Sequence, residues 1–189
     1  MAEARVHRHR VAVVINTRAG HVRRDPGVVH RVTEAVGRGA TVIAAGTLAD
    51  LDRGLERARD EDVDVVGVVG GDGTVGVTVT AVARAWEGRE LPAVAFLRGG
   101  TMNTVANAVG VPRGRPEALA RRLRGLVESG RFRTAPRGTV RARERLGFLF
   151  GTGSCRATCA STTTRVSPRR SPPRACSPRA SPRPPRAAR

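Results

Sequence analysis

The chain has 189 residues, enough for one domain with its own core, and a net charge of +18. Residues 154–189 hold nine Arg, no Asp or Glu, and seven of the 12 Pro, so residues 1–153 carry 25 − 16 = +9 and the tail the other +9. No apolar run approaches the ~18 residues of a spanning helix, no signal-peptide pattern opens the chain, and Cys155, Cys159 and Cys176 lack a fourth zinc ligand; these features argue against membrane-spanning, secreted and zinc-binding classes, and a cytoplasmic protein is expected.

Residues 1–10 read as a basic extension in which His7 and His9 alternate with arginines and are expected to be solvated. Val11–Ile15 is fully apolar and predicts a strand. It stops at Asn16-Thr17-Arg18-Ala19-Gly20, residues suited to a sharp turn at a strand's carboxyl end. A helix is expected from Pro26 to about Gly37, with Val28, Val29, Val32 and Val36 inward. Thr41–Ala45 predicts a short strand. Thr47 with Asp50 forms a capping-box pattern for a helix over 48–59, whose Leu48, Leu51, Leu55 and Ala58 fall at helical spacing and are expected to face the sheet. A cap is the simpler reading of Thr47; a ligand contact is the other.

The central stretch runs from Val63 to Val75. Valines at 63, 65, 66, 68 and 69 supply both faces of a buried parallel strand. Gly70-Gly71-Asp72-Gly73-Thr74 follows. Glycines at a strand's end let backbone N–H groups approach an anion, and the next segment opens a helix toward it. Asp72 adds a carboxylate and Thr74 a hydroxyl. A carboxylate beside a phosphate is repulsive unless a cation or hydroxyl lies between, so the turn points to phosphate handled with Mg²⁺ or a substrate hydroxyl. A plain turn with Asp72 as a helix cap is the alternative. Gly71, Gly73 and Gly76 also fit the dinucleotide fingerprint, but that pattern wants an acid about 20 residues on, at the end of the next strand. Here that strand ends in Arg98-Gly99-Gly100, which disfavours it.

A helix is expected through Trp86, read as a packing residue, followed by a strand over Ala93–Leu97. Thr101 and Asn103, in the second Gly-rich turn, offer a hydroxyl and an amide. Further helices are expected from about Asn103 to Gly110 and over 117–129, the latter with Leu119, Leu123, Leu126 and Val127 on one face and Arg121, Arg122 and Arg124 solvated on the other. Phe132, Val140 and Leu146–Phe150 read as short strands opening a β-rich segment. The expected fold is α/β: a parallel-sheet nucleotide-binding domain over 11–130 with helices on both faces, the start of a β-rich second domain over 131–153, and a disordered Arg/Pro/Ser tail over 154–189. Three turns then share one sheet edge.

These residues resemble the catalytic domain of diacylglycerol kinase-like lipid kinases, relatives of NAD kinases and sphingosine kinases. The matching stretches are Asn16–Gly20 (family pattern N-P-x-[SA]-G), Gly70–Val75 (G-G-D-G-T) and Gly100–Asn103 (G-T-x-N), within about residues 10–152. The chain departs at Thr17, where the family prefers Pro, and at Thr104-Val105, where Asp-Phe often follows the Asn. The resemblance implies ATP as phosphoryl donor, Mg²⁺ as its ion and a lipid alcohol at a membrane surface as acceptor, with no specific nucleic-acid partner. Carried over residue by residue, Asn16, Thr17, Arg18, Ala19, Gly20, Thr47, Gly70, Gly71, Asp72, Gly73, Thr74, Val75, Gly76 and Thr101 line the nucleotide site, with Asn103 beside them. Asp72 organises phosphate, metal and acceptor hydroxyl. A non-catalytic nucleotide-binding module and an NAD kinase-type enzyme share these motifs.

Family members continue into a β-sandwich that walls the lipid cleft. In place of most of it, residues 154–189 hold one aliphatic branched residue, Val166, and repeated Ser-Pro-Arg. One expectation is a shifted reading frame: one permitted back-translation of Ser161–Arg165, moved by a base behind a G, encodes Glu-Tyr-Tyr-Asp-Ser-Gly. The rival reading is a genuine Arg-rich arm that binds anionic lipids or nucleic acid by counterion release. On either reading the 189-residue chain is expected to bind nucleotide weakly and turn over little.

Overall fold

The computed structural model describes residues 9–148. The readings of His7, of Leu149–Phe150 and of the 154–189 tail fall outside the described residues.

Four strands, β1 (Val11–Asn16), β2 (Ala40–Ala45), β3 (Val65–Val69) and β4 (Ala93–Phe96), form one sheet in the order β2-β1-β3-β4. Every pairing in it is parallel. The helices are α1 (Gly20–Arg24), α2 (Gly27–Val36), α3 (Leu48–Asp60), α4 (Asp72–Ala85), α5 (Thr104–Ala108) and α6 (Pro116–Glu128). An antiparallel hairpin, β5 (Val140–Ala142) and β6 (Arg145–Gly147), follows.

Strand alternation divides the core. Val11, Val13, Ile15, Val65 and Val69 pack on one side with Val28, Val32 and Ala35 of α2 and Leu119, Leu123 and Val127 of α6. Ala12, Val14, Val66 and Val68 pack on the other with Leu51, Leu55 and Ala58 of α3, Val75 and Val82 of α4, and Val105 of α5. Helices therefore cover both faces, as the unbroken valine runs require. The chain leaves β1 toward β2 on one side and β3 toward β4 on the other. The switch point thus lies between β1 and β3, where open α/β sheets form their crevice.

Four local expectations change. Leu48 is 64% exposed, because it sits at the first position of α3, past the end of β2, with no sheet beside it. Phe132 lies in irregular chain rather than a strand, yet packs against the α2/α6 side of the core. Its ring meets that of His9 edge-on at 5.0 Å. His9, expected in solvent, also sets Nδ1 3.7 Å from Asp64 Oδ2. The fourth is α1, five residues that the turn chemistry of Asn16–Gly20 had hidden. Trp86 is buried, as a packing residue should be.

The hairpin rests on α4. The Thr80 hydroxyl donates to Leu146 O at 3.2 Å and accepts from Leu146 N at 2.9 Å. Phe148 meets Phe96 edge-on at 5.9 Å.

Candidate functional site

Because all four strands are parallel, their carboxyl ends share one rim. Residues 16–20, 45–47, 70–74 and 98–104 lie along it in the spatial order of the strands, three strand spacings or about 14 Å from β2 to β4.

Hydrogen bonds knit neighbouring turns. At the switch point, Asn16 Nδ2 donates to Thr74 Oγ1 at 2.8 Å. Its Oδ1 accepts from Arg18 N at 2.9 Å, so the same amide shapes its own turn. Thr17 donates twice to Ala45 O, from N at 3.0 Å and from Oγ1 at 3.2 Å, tying the β1 exit to the β2 exit. Ala19 caps α1 through its backbone, and Gly20 opens that helix. Thr47 completes a capping box, accepting from Asp50 N at 3.1 Å while its own N donates to Asp50 Oδ2 at 2.9 Å. The Thr47 hydroxyl, hydrogen-bonded to the Asp50 side chain, is the leading cause holding that carboxyl below its ordinary value of 3.8.

The β3 and β4 turns approach each other backbone to backbone. Gly99 N donates to Gly70 O at 2.9 Å. A Cβ added to Gly100 would sit 2.3 Å from Gly71 Cα, and one added to Gly99 2.7 Å from Gly70 N. Only glycine permits this approach. Gly73 has open space around it. Val75 contributes little to the surface: its side chain is buried and its N–H is spent on Gly71 O at 3.0 Å. Gly76 lies one turn along α4, where an added Cβ would reach 3.4 Å from Leu146 O of the hairpin.

Thr101 is exposed at the crest of the second turn. Asn103 holds that turn in shape from a left-handed backbone conformation, φ 51°. Its Oδ1 accepts from Gly100 N at 3.1 Å and Gly99 N at 3.3 Å, and its Nδ2 donates to Gly100 O at 2.7 Å. Asp72 is half-buried at the start of α4. Its Oδ2 accepts from Thr104 N at 3.0 Å and its Oδ1 from Val105 N at 2.9 Å.

The structure therefore brings Asn16–Gly20, Gly70–Thr74, Thr101 and Asn103 onto one rim, with Thr47 at its β2 end. Two features escaped the sequence reading. The amides at 104 and 105 are partners of Asp72, a pairing across 32 and 33 residues that no local pattern signals. A depression of about 430 Å³ also lies beside the second turn, lined in part by His21, Arg98, Arg113 and Arg115. Arg98 has φ 42° and donates from Nε to Pro112 O at 2.8 Å and from Nη2 to Val111 O. A non-glycine residue in that backbone region is the signal that its side chain has a task.

The fold is an open parallel α/β sheet with Gly-rich turns at its carboxyl rim, one of them opening a 14-residue helix. The chain belongs to the diacylglycerol kinase catalytic domain family, whose model matches residues 10–132. Curated relatives from Shigella flexneri and Escherichia coli (strain K12 / DH10B), each called probable lipid kinase YegS, are 38% identical over 76 residues, 40% of this chain. That stretch spans a quarter of those relatives' length, 25%. A solved structure of a putative diacylglycerol kinase from Bacillus anthracis str. Sterne is 26% identical, with a TM-score of 0.48 over 62% of this chain and 39% of that one. No helix among the described residues is long and apolar enough to cross a membrane.

Proposed function

We propose that this chain carries the nucleotide-binding part of an ATP-dependent lipid kinase, which moves the γ-phosphoryl group of ATP to the hydroxyl of a diacylglycerol-like lipid at a membrane surface. The supporting observation is the backbone contact between the two Gly-rich turns, Gly71 against Gly100, at the N-terminus of α4. The leading N–H groups of a helix have no partners within it, and the helix dipole adds positive potential there. Residues 70–74 thus offer backbone donors to phosphate oxygens, and Thr101 a hydroxyl from the facing turn. Asn16 orients the Thr74 hydroxyl at the switch point.

Phosphoryl transfer asks mainly for positioning and charge neutralisation, and a rigid rim of amides serves both. The residues fit Mg²⁺ brought in with ATP. Such an ion takes one or two carboxylates and is otherwise held by phosphate oxygens and water. Asp72 is the carboxylate of the two Gly-rich turns, but both its oxygens accept backbone amides, so phosphate oxygens and water would supply most of the ion's shell; no group of three or more potential ligands occurs among the described residues. An ion held in this way would supply neutralisation of the phosphate charge.

Calorimetry of the chain with ATP and Mg²⁺, followed by phosphoryl-transfer assays offering diacylglycerol or NAD, tests this reading. Weak ATP binding, with little lipid phosphorylation by the 189-residue chain, is expected. A folded chain with no affinity for ATP defeats the proposal, and phosphorylation of NAD instead of lipid moves it to the NAD kinase type. In a chain that turns over, Asp72→Ala is expected to abolish transfer.

A further inference from the structure

The geometry points to Asp72 as a positioning residue, which bolts the second Gly-rich turn to the first and acts on the phosphate site through the backbone it holds rather than through the ion. For the nucleotide this rests on the reading above; the structural part stands without it.

Helix α5 has no cap of its own. Asn103 precedes it in a left-handed conformation and makes no side-chain cap bond. Its amide is committed backward, to Gly99 and Gly100. The first turn of α5 contains no acidic residue. Its leading amides are instead capped by Asp72, one on each carboxylate oxygen, at 3.0 and 2.9 Å. Unmade, such donors would be costly at the half-buried Val105 bond, because the Val105 side chain sits in the core against α4.

The same clamp sets the distance between the two turns. Asp72 follows Gly71, whose Cα leaves no room for a Cβ on Gly100. Drawing α5 onto Asp72 therefore presses residues 99–101 against residues 70–71, and Thr101 is carried on that segment. The other end is fixed by Arg98, through Pro112 O and Val111 O. The carboxylate is the side chain suited to the position: it accepts from two amides at once, whereas an Asn would present one acceptor oxygen and turn an NH₂ toward a second N–H. An ion held mostly by phosphates and water has less need of it.

The test compares the full chain with Asp72→Asn and Asp72→Ala by residue-resolved amide hydrogen exchange without nucleotide. ATP binding is then measured with Mg²⁺ and with the metal chelated. Exchange at Thr104 and Val105 should quicken by roughly tenfold or more in Asp72→Ala and by less in Asp72→Asn, while α2 and α6 keep wild-type protection. ATP affinity should fall by the same factor with and without Mg²⁺. Two results overturn the proposal. One is unchanged exchange at 104 and 105. The other is a loss of ATP affinity seen only when Mg²⁺ is present, which marks Asp72 as a ligand of the ion. If Asp72→Ala does not fold, Asp72→Asn alone decides both measurements. A wild-type chain that binds no ATP defeats the kinase reading and leaves the exchange result to judge the clamp.

Discussion

At the amino-terminal edge of the sheet, side chains close off the backbone. Arg10 N donates to Asp64 Oδ2 at 2.7 Å, the Arg10 guanidinium to Glu61 O at 2.5 Å, and the Thr41 hydroxyl to Glu61. At the carboxyl edge the backbone meets backbone: Gly99 against Gly70 and Gly100 against Gly71, with Asn103 bonded across its own turn and Asp72 across to the amides that open α5. The first arrangement tolerates side chains because they do the joining. The second leaves N–H groups at the surface, which suits an anion, and depends on the missing Cβ atoms. The same sheet thus has one edge closed by side chains and one where backbones meet, and the proposed phosphate site lies at the second.

The sharpest way to break this contrast is to place a methyl group on each edge. Gly100→Ala sets a Cβ against immobile backbone and should cost about 3 kcal/mol, the upper range of overpacking, and abolish ATP binding. Gly39→Ala, at the amino edge with nothing within 4 Å of the new Cβ, should stay within about 0.5 kcal/mol. Urea denaturation and calorimetry measure both; equal costs would remove the distinction.

Next in size is Asn103→Ala. It deletes three hydrogen bonds within the second turn and leaves alanine in the left-handed region, so a loss of about 2 kcal/mol is expected with weaker ATP binding. Asn103→Gly relieves the backbone but not the amide, and should recover part of the stability and little of the binding. Full recovery of binding would show that the amide is dispensable.

Thr47→Ala should cost about 1 kcal/mol, the value of a helix cap. Its pH dependence carries a sign. Asp50 is held below 3.8 in the folded chain, chiefly by the Thr47 hydroxyl. A depressed carboxyl adds stability that is complete above its unfolded value and lost as pH falls through the folded one. The deficit of Thr47→Ala should therefore narrow below about pH 3.8. Denaturation midpoints at neutral and acid pH measure it, and a constant deficit would exclude the hydroxyl–carboxylate bond as the cause. Asp64→Ala, whose side chain is 44% exposed, should also stay within about 1 kcal/mol and leave ATP affinity unchanged.

Much of this molecule is written locally. The valine runs announced buried parallel strands because apolar groups at successive positions need cover on both faces. Gly70–Thr74 and Gly99–Asn103 announced turns because no other composition ends a strand so abruptly. Thr47 and Asp50 lie three residues apart, and their reciprocal bonds need only that spacing. Leu48 misled because periodicity gives a direction around a helix but not whether the sheet extends that far. His9 misled because its partners, Phe132 and Asp64, are remote in sequence.

The amino-acid order alone determined most of the elements, α1 excepted, and the Gly-rich turns with the acid placed in one of them, since each depends on residues within a few positions. Only the tertiary structure decided that β3 stands between β1 and β4, that Asn16 reaches Thr74, and that both oxygens of Asp72 serve the amides of α5. Those contacts join segments 32 to 58 residues apart. They exist because parallel strands bring every carboxyl end to the same edge, where backbones without Cβ atoms can meet.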